Sequence, residues 1–406
     1  MAAEPPQRAS RQRVLIAGGG AGGLEAMLAL HALAGERVEV ELLAPEETFA
    51  YRPLAVGEPF RFAEVLRMPL SELVEAHGAR HRRDALVGVD AEHRLVHTHS
   101  GETLEYDFLV VAIGTRPLEA VPGALTFRGP EDVAAFTDLL ERVESGELRR
   151  LVFAVPGGVG WPLPIYELAV LTGWRLRSKL IAGASLEVVT AEEHPLAMFG
   201  HAAGRAVEAM LEVEDVALRP STHPVSLDDG VLGIVPGDSM PADAVVAGAR
   251  PEGRHIPGLP ADERGFVSID RHARVPGVDR VFAVGDITAF PVKQGGIATQ
   301  HADAAAEMIA AEVGAALEPR PFRPVLRGLL LVGEAPVYLS TDLSGAEGDR
   351  ETVDWRPLWW PPDKIAGRYL GPALAGAAGD QTVFDPERAT AGGVLSVEVE
   401  LDDLGS

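Results

Sequence analysis

The sequence predicts an α/β fold in which helices cover parallel sheets, and two observations predict it. An apolar run at 14–17 meets a glycine cluster at 18–23, a stretch with helical spacing at 24–33, and a second apolar run at 38–43. This order of strand, turn, helix and strand favours a parallel sheet. A second glycine-rich segment of the same kind starts with the apolar run 149–156. The chain therefore contains two similar units.

Later apolar runs predict the other strands of the core. The predicted strands are 108–113, 186–190, 244–246 and 280–284, and the predicted helices are 166–174 and the alanine-rich 296–313. This arrangement is typical of a duplicated dinucleotide fold in which one copy is inserted into the other. We therefore predict two nested Rossmann-like domains.

The domain limits follow from this nesting and from changes in composition. The first domain is predicted at 13–118 and 265–318, and the second at 119–264. Residues 319–406, in which Pro and Trp concentrate, are predicted to form a smaller C-terminal α+β domain. Residues 1–12 are polar and have no apolar period, so we expect them to be disordered.

The composition excludes several kinds of chemistry. The 406 residues include no cysteine, which excludes thiolate nucleophiles, disulfide exchange, iron–sulfur clusters and Cys-ligated zinc. The 12 histidines form no HExxH motif, and no metal site is indicated. With 36 basic and 60 acidic residues, the net charge is -24, and such a field repels nucleic acid. We therefore expect no nucleic-acid partner.

The sequence predicts a cytoplasmic protein, because its polar N-terminus lacks the apolar core of a secretion signal and no run reaches the ~18 apolar residues of a membrane span.

Trp355, Trp359 and Trp360 allow two interpretations. They form either an aromatic attachment to a membrane or a cap packed on the rest of the protein. The cap is favoured because the acidic charge suits anionic lipid poorly, so peripheral membrane contact is the less favoured interpretation.

The cluster 18–23 fits the pattern G-x-G-x-x-G and lies between a predicted strand and a predicted helix. Glycine at 18 allows a tight turn, at 20 it lets the backbone approach a pyrophosphate, and at 23 it lets the helix pack on the strand. The helix N-terminus then offers free N–H groups and a partial positive charge to the phosphates. In this context a dinucleotide site is favoured over a glycine-rich turn that binds nothing.

Three further segments add candidate contacts. The second strand normally ends in a carboxylate for a ribose, but Ala44 occupies that position. Glu46 is the candidate substitute, although a solvated acidic loop explains it equally well. Asp286, at a strand end beside glycine, is placed to accept a hydrogen bond from a sugar or ribityl hydroxyl. The turn at Gly295 and Gly296 brings helix N–H groups towards a carbonyl that gains negative charge.

In order, the segments GxGxxG, YDxLVxAxGTxP and VFAxGD resemble the FAD-dependent pyridine nucleotide-disulfide oxidoreductase superfamily over residues 13–315. The segment PVKQGGIATQ is similar to its type II NADH dehydrogenase and sulfide:quinone reductase branch. The resemblance implies bound FAD, with the pyrophosphate at the first glycine turn, the ribityl chain at Asp286 and the flavin near Thr115. The candidate FAD contacts are Gly18, Gly20, Gly22, Gly23, Glu46, Arg52, Ala112, Gly114, Thr115, Arg116, Gly285, Asp286, Gly295 and Gly296.

The chain also departs from this family pattern. Because it has no redox cysteines, neither disulfide reduction nor sulfide:quinone reduction is carried over. In the second glycine-rich turn, Trp161 adds bulk, Pro162 and Pro164 lack N–H groups, and Ile165 stands where glycine usually begins the helix. We therefore expect NAD(P)H to bind poorly. The alternative is a phosphate cradle in a shifted register around glycines 157, 158 and 160.

Two residues are candidates for catalysis. By resemblance, Glu167 faces the flavin and the quinone pocket, where a carboxylate relays protons, although a solvated helix face explains it equally well. Lys293 is predicted to lie near the flavin and to stabilise its reduced anion, in preference to a surface position. Tyr51 either stacks on the flavin or belongs to the core.

The sequence therefore predicts an FAD-dependent oxidoreductase in which the flavin alone carries the redox chemistry and a small molecule or a quinone is the electron carrier. One alternative is an NAD(P)H dehydrogenase that passes electrons to a quinone or a protein. The other is a non-catalytic flavin-binding or interaction protein that kept the fold.

Overall fold

The computed structural model describes residues 11–333, 335–344 and 351–378. Residues 1–10 of the segment expected to be disordered, and the final part of the predicted C-terminal domain from residue 379, lie outside the described residues. Gln12, the last residue of that N-terminal segment, already belongs to the first strand.

Most elements are short strands joined by tight turns. The helices are α1 Ala21–Ala34, α2 Leu70–Glu75, α3 Val133–Glu144, α4 Leu163–Ser178, α5 His201–Val213, α6 Gly295–Glu312 and α7 Leu370–Ala378, with 3-10 helices at Gly35–Arg37, Arg52–Phe60, Pro130–Asp132, Ala197–Phe199 and Gly285–Ile287. The strands are β1 Gln12–Ala17, β2 Val38–Leu43, β3 Thr48–Ala50, β4 Arg67–Pro69, β5 Arg80–Arg82, β6 Leu86–Asp90, β7 Leu95–Thr98, β8 Thr103–Glu105, β9 Phe108–Val111, β10 Arg116–Leu118, β11 Leu125–Phe127, β12 Arg150–Val155, β13 Ser185–Thr190, β14 Val216–Arg219, β15 His223–Asp228, β16 Val231–Val235, β17 Ser239–Pro241, β18 Ala244–Gly248, β19 Arg250–Glu252, β20 Val281–Ala283, β21 Val325–Leu330, β22 Val337–Asp342 and β23 Thr352–Asp354.

The first parallel sheet has the strand order β20-β9-β1-β2-β5. All four residues of β9 are buried, as expected for a parallel strand covered on both faces. Helices α1 and α6 pack against each other beside this sheet. Their N-termini follow the carboxyl ends of β1 and β20, the edge of a parallel sheet where ligands bind.

The second parallel sheet has the order β11-β18-β12-β13-β14. Its strands lie, in sequence, between β9 and β20 of the first sheet. The second sheet is therefore inserted into the first domain, and the predicted nesting of two Rossmann-like units in an α/β fold is confirmed.

Small antiparallel sheets complete the structure. Strands β6, β7 and β8 form one such sheet, and β15, β16 and β17 form another. Apolar runs in the sequence did not predict either sheet, because the strands of both are short and alternate between buried and exposed residues.

The C-terminal unit combines the antiparallel sheet β21-β22-β23 with α7. It packs closely on the second domain, because a Cβ on Gly328 would lie 2.7 Å from the ring of Phe199. Apolar residues of both units, such as Leu168 and Leu339, share one continuous core. Among the described residues, none of the helices has the length and apolar character needed to cross a membrane.

Candidate cofactor and redox site

A cleft of about 1000 Å³ is lined by residues of both parallel-sheet domains and of the C-terminal unit. One part lies at the carboxyl ends of β1, β9 and β20, and another reaches α4 and the residues that follow β23. Most of the predicted site residues meet here. The predicted residues that line the cleft are Gly18, Gly20, Gly22, Glu46, Arg52, Ala112, Gly114, Thr115, Glu167, Gly285, Asp286, Lys293 and Gly295.

The first glycine turn has the geometry that its sequence pattern predicts. Gly18 has φ +119°, and a Cβ there would lie 2.2 Å from the carbonyl oxygen of Ala112. A Cβ on Gly23 would lie 1.9 Å from the oxygen of Gly18, so this glycine allows the helix to pack on the turn and does not itself line the cleft. Gly20 differs from both, because a Cβ there would meet nothing within 4 Å and would project into open space.

The N-terminus of α1 suits an anionic group. Gly20 is its N-cap, no side chain caps it, and its first turn contains no acidic residue. The first N–H groups of a helix have no intrahelical acceptor, and the helix dipole adds positive potential. The turn therefore fits a pyrophosphate, as FAD requires, and a side chain larger than hydrogen at position 20 would fill the cradle.

Two arginines predicted to contact FAD are engaged with protein groups. Arg52 lines the cleft but pairs with Glu131 at 2.7 Å and donates to the carbonyl of Arg128 at 3.0 Å. Arg116 pairs with Glu252 on β19 and does not line the cleft. Glu46 is exposed where it lines the cleft, which fits either of its two interpretations.

Asp286 and Lys293 lie close together after β20. Burial raises the pKa of Asp286 to about 6, and the nearby Lys293 opposes this rise. Burial lowers the pKa of Lys293 to about 8. The Lys293 ammonium lies 4.0 Å from the centroid of the Phe266 ring and donates to the carbonyl of Thr288 at 2.5 Å. Lys293 is thus partly buried in the cleft wall, not on the surface.

The N-terminus of α6 is capped by the side chain of Gln294, which accepts from the N–H of Ile297 at 2.9 Å. Gly295 lines the cleft, but Gly296 does not; a Cβ on Gly296 would lie 2.9 Å from the Gln294 side chain. The predicted role of Gly296 in opening the helix therefore falls on its neighbours Gly295 and Gln294.

Glu167, on α4, is fully buried and lines the cleft. One carboxylate oxygen, Oε1, pairs with the ammonium of Lys364 and accepts from the N–H of Leu331 at 2.8 Å. The other oxygen, Oε2, is buried and has no hydrogen-bond partner among the described residues. Glu167 therefore does not lie on a solvated helix face.

Lys364 is the functional candidate that sequence reasoning missed. It is 7% exposed, lines the cleft, and lies 197 residues from Glu167 in sequence. Burial raises the pKa of Glu167 and lowers that of Lys364, while their mutual attraction opposes both changes. The only signal in the sequence was a lysine within the Trp- and Pro-rich segment, and only the fold shows what it contacts.

Tyr51 belongs to the core. It is fully enclosed, does not line the cleft, and its hydroxyl accepts from the N–H of Ile365 at 2.7 Å.

Of the tryptophans, Trp359 packs on Tyr338 with ring centroids 5.1 Å apart, as a cap does. Trp355 and Trp360 are 56% and 85% exposed, so the cap interpretation does not account for them.

The second glycine-rich turn, between β12 and α4, differs from the first. Helix α4 starts with Pro162 as N-cap and Pro164 in its first turn, and the N–H of Ile165 is already bonded to the carbonyl of Pro162 at 3.0 Å. The oxygen of Gly160 accepts from the N–H of Lys293, and a Cβ on Gly160 would lie 2.5 Å from the Lys293 side chain. Gly160 therefore permits packing within the protein.

Glu192 follows β13, close to the strand end at which a dinucleotide fold usually places its ribose-binding acid. Its Oε2 accepts from the hydroxyl of Tyr166 at 2.7 Å, and its Oε1 accepts from the N–H of Ala197 at 3.0 Å. Both oxygens are thus engaged by protein donors, which leaves fewer contacts for a second nucleotide.

The fold and the site indicate a flavin-dependent oxidoreductase with two dinucleotide-binding folds. The evidence is the pair of nested parallel-sheet domains, the glycine turn that fits a pyrophosphate and the buried ion pair in the same cleft. Residues 12–307 match the family model described as pyridine nucleotide-disulphide oxidoreductase. The chain belongs to this family, and it is an FAD-dependent oxidoreductase.

Three known proteins indicate the branch. The chain is 26% identical over 299 residues to demethylphylloquinone reductase NdbB of Synechocystis sp., which covers 68% of this chain and 72% of that protein. It is 28% identical over 299 residues to an NADH dehydrogenase-like protein of Mycobacterium tuberculosis, which covers 68% and 73%. The fold is similar to the sulfide:quinone oxidoreductase of Aquifex aeolicus, with a TM-score of 0.77, 19% identity and coverage of 85% and 87%.

Proposed function

We propose that this protein is an FAD-dependent oxidoreductase that reduces a quinone. The observation that carries the proposal is the buried pair of Glu167 and Lys364, which lines the cleft together with apolar residues such as Leu163, Leu329 and Ile365. An apolar pocket with a few convergent polar groups suits a quinone ring and its two carbonyls. The relatives named as a demethylphylloquinone reductase and a sulfide:quinone oxidoreductase support this choice of acceptor.

Different residues around the cleft would hold FAD and exclude water. FAD, when bound, supplies the two-electron redox chemistry. The amides at the start of α1 and Asp286 would hold it through its pyrophosphate and ribityl groups. The apolar side chains at the α4 end of the cleft exclude water, and this strengthens the charge interactions inside.

Quinone reduction consumes protons, and Glu167 and Lys364 are suited to supply one. Burial disfavours the charged form of both groups, and this makes transfer of the Lys364 proton less costly than for the same pair in water. Lys364 Nζ is therefore suited to donate a proton to a quinone oxygen or to Glu167. Oε2 of Glu167, which has no hydrogen-bond partner in the described part of the chain, provides a further acceptor for a substrate hydroxyl.

The electron donor is proposed to be something other than NAD(P)H. The second turn lacks amide donors at Pro162 and Pro164, and Gly160 and Glu192 are both engaged within the protein. The alternative, an NAD(P)H dehydrogenase that reduces a quinone, is favoured by the NADH dehydrogenase-like relative.

The test uses the FAD-loaded protein, photoreduced without oxygen by EDTA as the sacrificial electron donor and then mixed with a short-chain ubiquinone. We expect the oxidised flavin spectrum to return with saturable dependence on quinone concentration, and to return at least tenfold more slowly in Lys364→Met, since a proton donor contributes about 10²–10⁴-fold. Reoxidation that does not depend on quinone concentration would disprove the acceptor. Failure to reoxidise with any acceptor would support the non-catalytic alternative.

A further inference from the structure

Residues 363–370, here called the strap, connect the Trp- and Pro-rich segment to α7 and carry Lys364 into the cleft. Their first half is held from three sides. The indole N–H of Trp359 donates to the carbonyl of Asp363 at 2.8 Å, Lys364 pairs with Glu167, and the N–H of Ile365 donates to Tyr51. Ile365 also packs on Gly295, where a Cβ would lie 2.6 Å from the Ile365 side chain.

The second half of the strap is held by Glu25. This residue lies on α1, the helix that starts at the pyrophosphate turn, and it is completely buried. Its two carboxylate oxygens accept from the N–H groups of Tyr369 at 2.9 Å and Leu370 at 2.6 Å, where α7 begins. A carboxylate at this place satisfies donors that have no intrahelical acceptor and complements the helix dipole.

Asp303, on α6, supports the charge on Glu25. Burial together with the nearby Glu25 carboxylate raises the pKa of Asp303, and a protonated Asp303 places no second negative charge beside Glu25. Arg368 on the strap and Glu307 on α6 complete the charged surroundings, and Glu307 also pairs with Arg320.

The Glu25 contact and the Lys364 contact are mechanically linked, because only four residues separate Lys364 from Tyr369. Within this interval, a Cβ on Gly367 would lie 2.8 Å from Oε2 of Glu25, so the strap backbone itself passes directly over the carboxylate. A shift of the strap by one residue would therefore break the Tyr369 and Leu370 bonds and withdraw the lysine from Glu167.

We propose that Glu25 is a positioning residue for the redox site: by capping α7 it fixes the strap in the register that holds Lys364 against Glu167. This inference rests on the proposed function for its catalytic consequence, but not for its structural one. Glu25 does not itself line the cleft, and its bonds to Tyr369 and Leu370 connect it to the strap that carries Lys364.

The first test is hydrogen exchange on the FAD-loaded protein with Glu25→Gln. Glutamine keeps one acceptor oxygen but turns an NH₂ group towards a backbone donor, so one of the two capping bonds is lost. We expect amides across the strap, including that of Ile365, to exchange about tenfold faster or more, as for the loss of one charge-assisted bond. The control is Glu312→Gln, which removes an ion pair with Arg274 at the exposed end of α6 and should leave the strap unchanged. A change confined to residues beyond Leu370, with Ile365 unaffected, would overturn the proposal.

The second test is a double-mutant cycle on quinone-dependent reoxidation. If Glu25 acts through Lys364, Glu25→Gln should slow reoxidation about tenfold in the wild-type background and have little further effect in Lys364→Met, whereas independent effects would multiply. Multiplying effects would overturn the proposal. The exchange measurement needs no turnover. A wild-type protein that fails to reduce quinones would therefore contradict the proposed function, while hydrogen exchange would still test whether Glu25 fixes the strap.

A variant on the strap side keeps the proposal testable if Glu25→Gln does not fold. Gly367→Ala adds a methyl group against Glu25 Oε2 and leaves the carboxylate in place. We expect it to raise exchange at Ile365 as Glu25→Gln does, with the amount of bound FAD unchanged. Normal exchange and normal reoxidation in a Gly367→Ala protein would count against the proposal.

Discussion

Gly20 is the residue at which we expect a side chain to affect cofactor retention most directly. A Cβ there would meet no protein atom within 4 Å, so we expect Gly20→Val to fold normally while its methyl groups occupy the space that the pyrophosphate needs. We expect the purified variant to lose its bound flavin and keep its secondary structure. Absorbance at the flavin bands and circular dichroism measure the two properties.

The matched control for Gly20→Val is Gly376→Val on α7, another glycine with open space around it but away from the cleft. It should retain its flavin. A Gly20→Val protein that stays fully yellow would show that this turn does not hold phosphate.

The pair of Glu167 and Lys364 also makes a prediction about stability. Removing one partner of a buried ion pair leaves an uncompensated buried charge, which typically costs about 3–5 kcal/mol. Lys364→Met should therefore reduce the free energy of unfolding by about that amount, and Lys364→Met combined with Glu167→Leu should recover most of it. Urea unfolding followed by fluorescence measures this; a loss below about 1 kcal/mol in the single variant would mean that Glu167 becomes neutral without penalty.

Single residues also show where sequence reasoning succeeds. The tight turn at Gly18 and the close packing of α1 at Gly23 were predictable because the glycine pattern is local, whereas the approach of Gly18 to the carbonyl of Ala112 was not. The partner of Glu167 was not, since it lies 197 residues away, and nothing in the local sequence decided whether Tyr51 faces a cofactor or the core.

At the scale of elements, Asp363 on the strap makes the free energy of unfolding depend on pH. Burial raises the pKa of this carboxyl from 3.8 to about 6. Because the pKa is raised in the folded state, the protonated acid contributes stability that is fully present below about pH 3.8 and is lost as the pH rises through about 6. Asp363→Asn should therefore match the wild type near pH 4 and exceed its free energy of unfolding by about 3 kcal/mol at most above pH 7.

The measurement is the free energy of unfolding at several pH values for both proteins. A constant difference across the range would mean that Asp363 does not titrate with folding. Asp84 is a suitable comparison, because hydrogen bonds from Ser100 and Thr98 lower its pKa and its substitution should change stability in the opposite direction.

The turn between β12 and α4 predicts weak reactivity with nicotinamide nucleotides. Each missing charge-assisted bond should cost about 1.5–3 kcal/mol, so the loss of two weakens binding about a hundredfold or more. We expect NADH and NADPH to bleach the flavin slowly and without saturation at micromolar concentrations. Anaerobic stopped-flow absorbance decides this, and rapid saturable bleaching would favour the dehydrogenase alternative.

Element limits were predictable where a buried strand met a glycine turn. Strand β2 has the predicted limits, and β1, β12 and α6 differ by one or two residues at an end. Helix α4 begins three residues earlier than predicted, because Pro162 and Pro164 serve as its N-cap and first turn and do not delay it. The hairpin sheets were missed because their strands are short and alternate between buried and exposed residues.

At the scale of the whole molecule, the nested arrangement was predictable from two similar strand–turn–helix segments, because the parallel order follows from chain connectivity. The shape of the cleft was not predictable from the sequence. Its wall combines Gly20, Glu167, Lys293 and Lys364 from four separate parts of the chain, and local patterns carry no information about how such parts meet.

The insertion of one sheet into another has a consequence for synthesis on the ribosome. Strand β9 needs β20 as its outer neighbour, and Leu109 pairs with Val281 across the whole inserted domain. The nascent chain must therefore hold the first sheet incomplete while the second is translated, and such long-range pairing slows folding. A chain that stops at residue 264 should expose β9, fail to retain FAD and aggregate, whereas a chain that reaches residue 378 should capture the cofactor only after its last third has emerged.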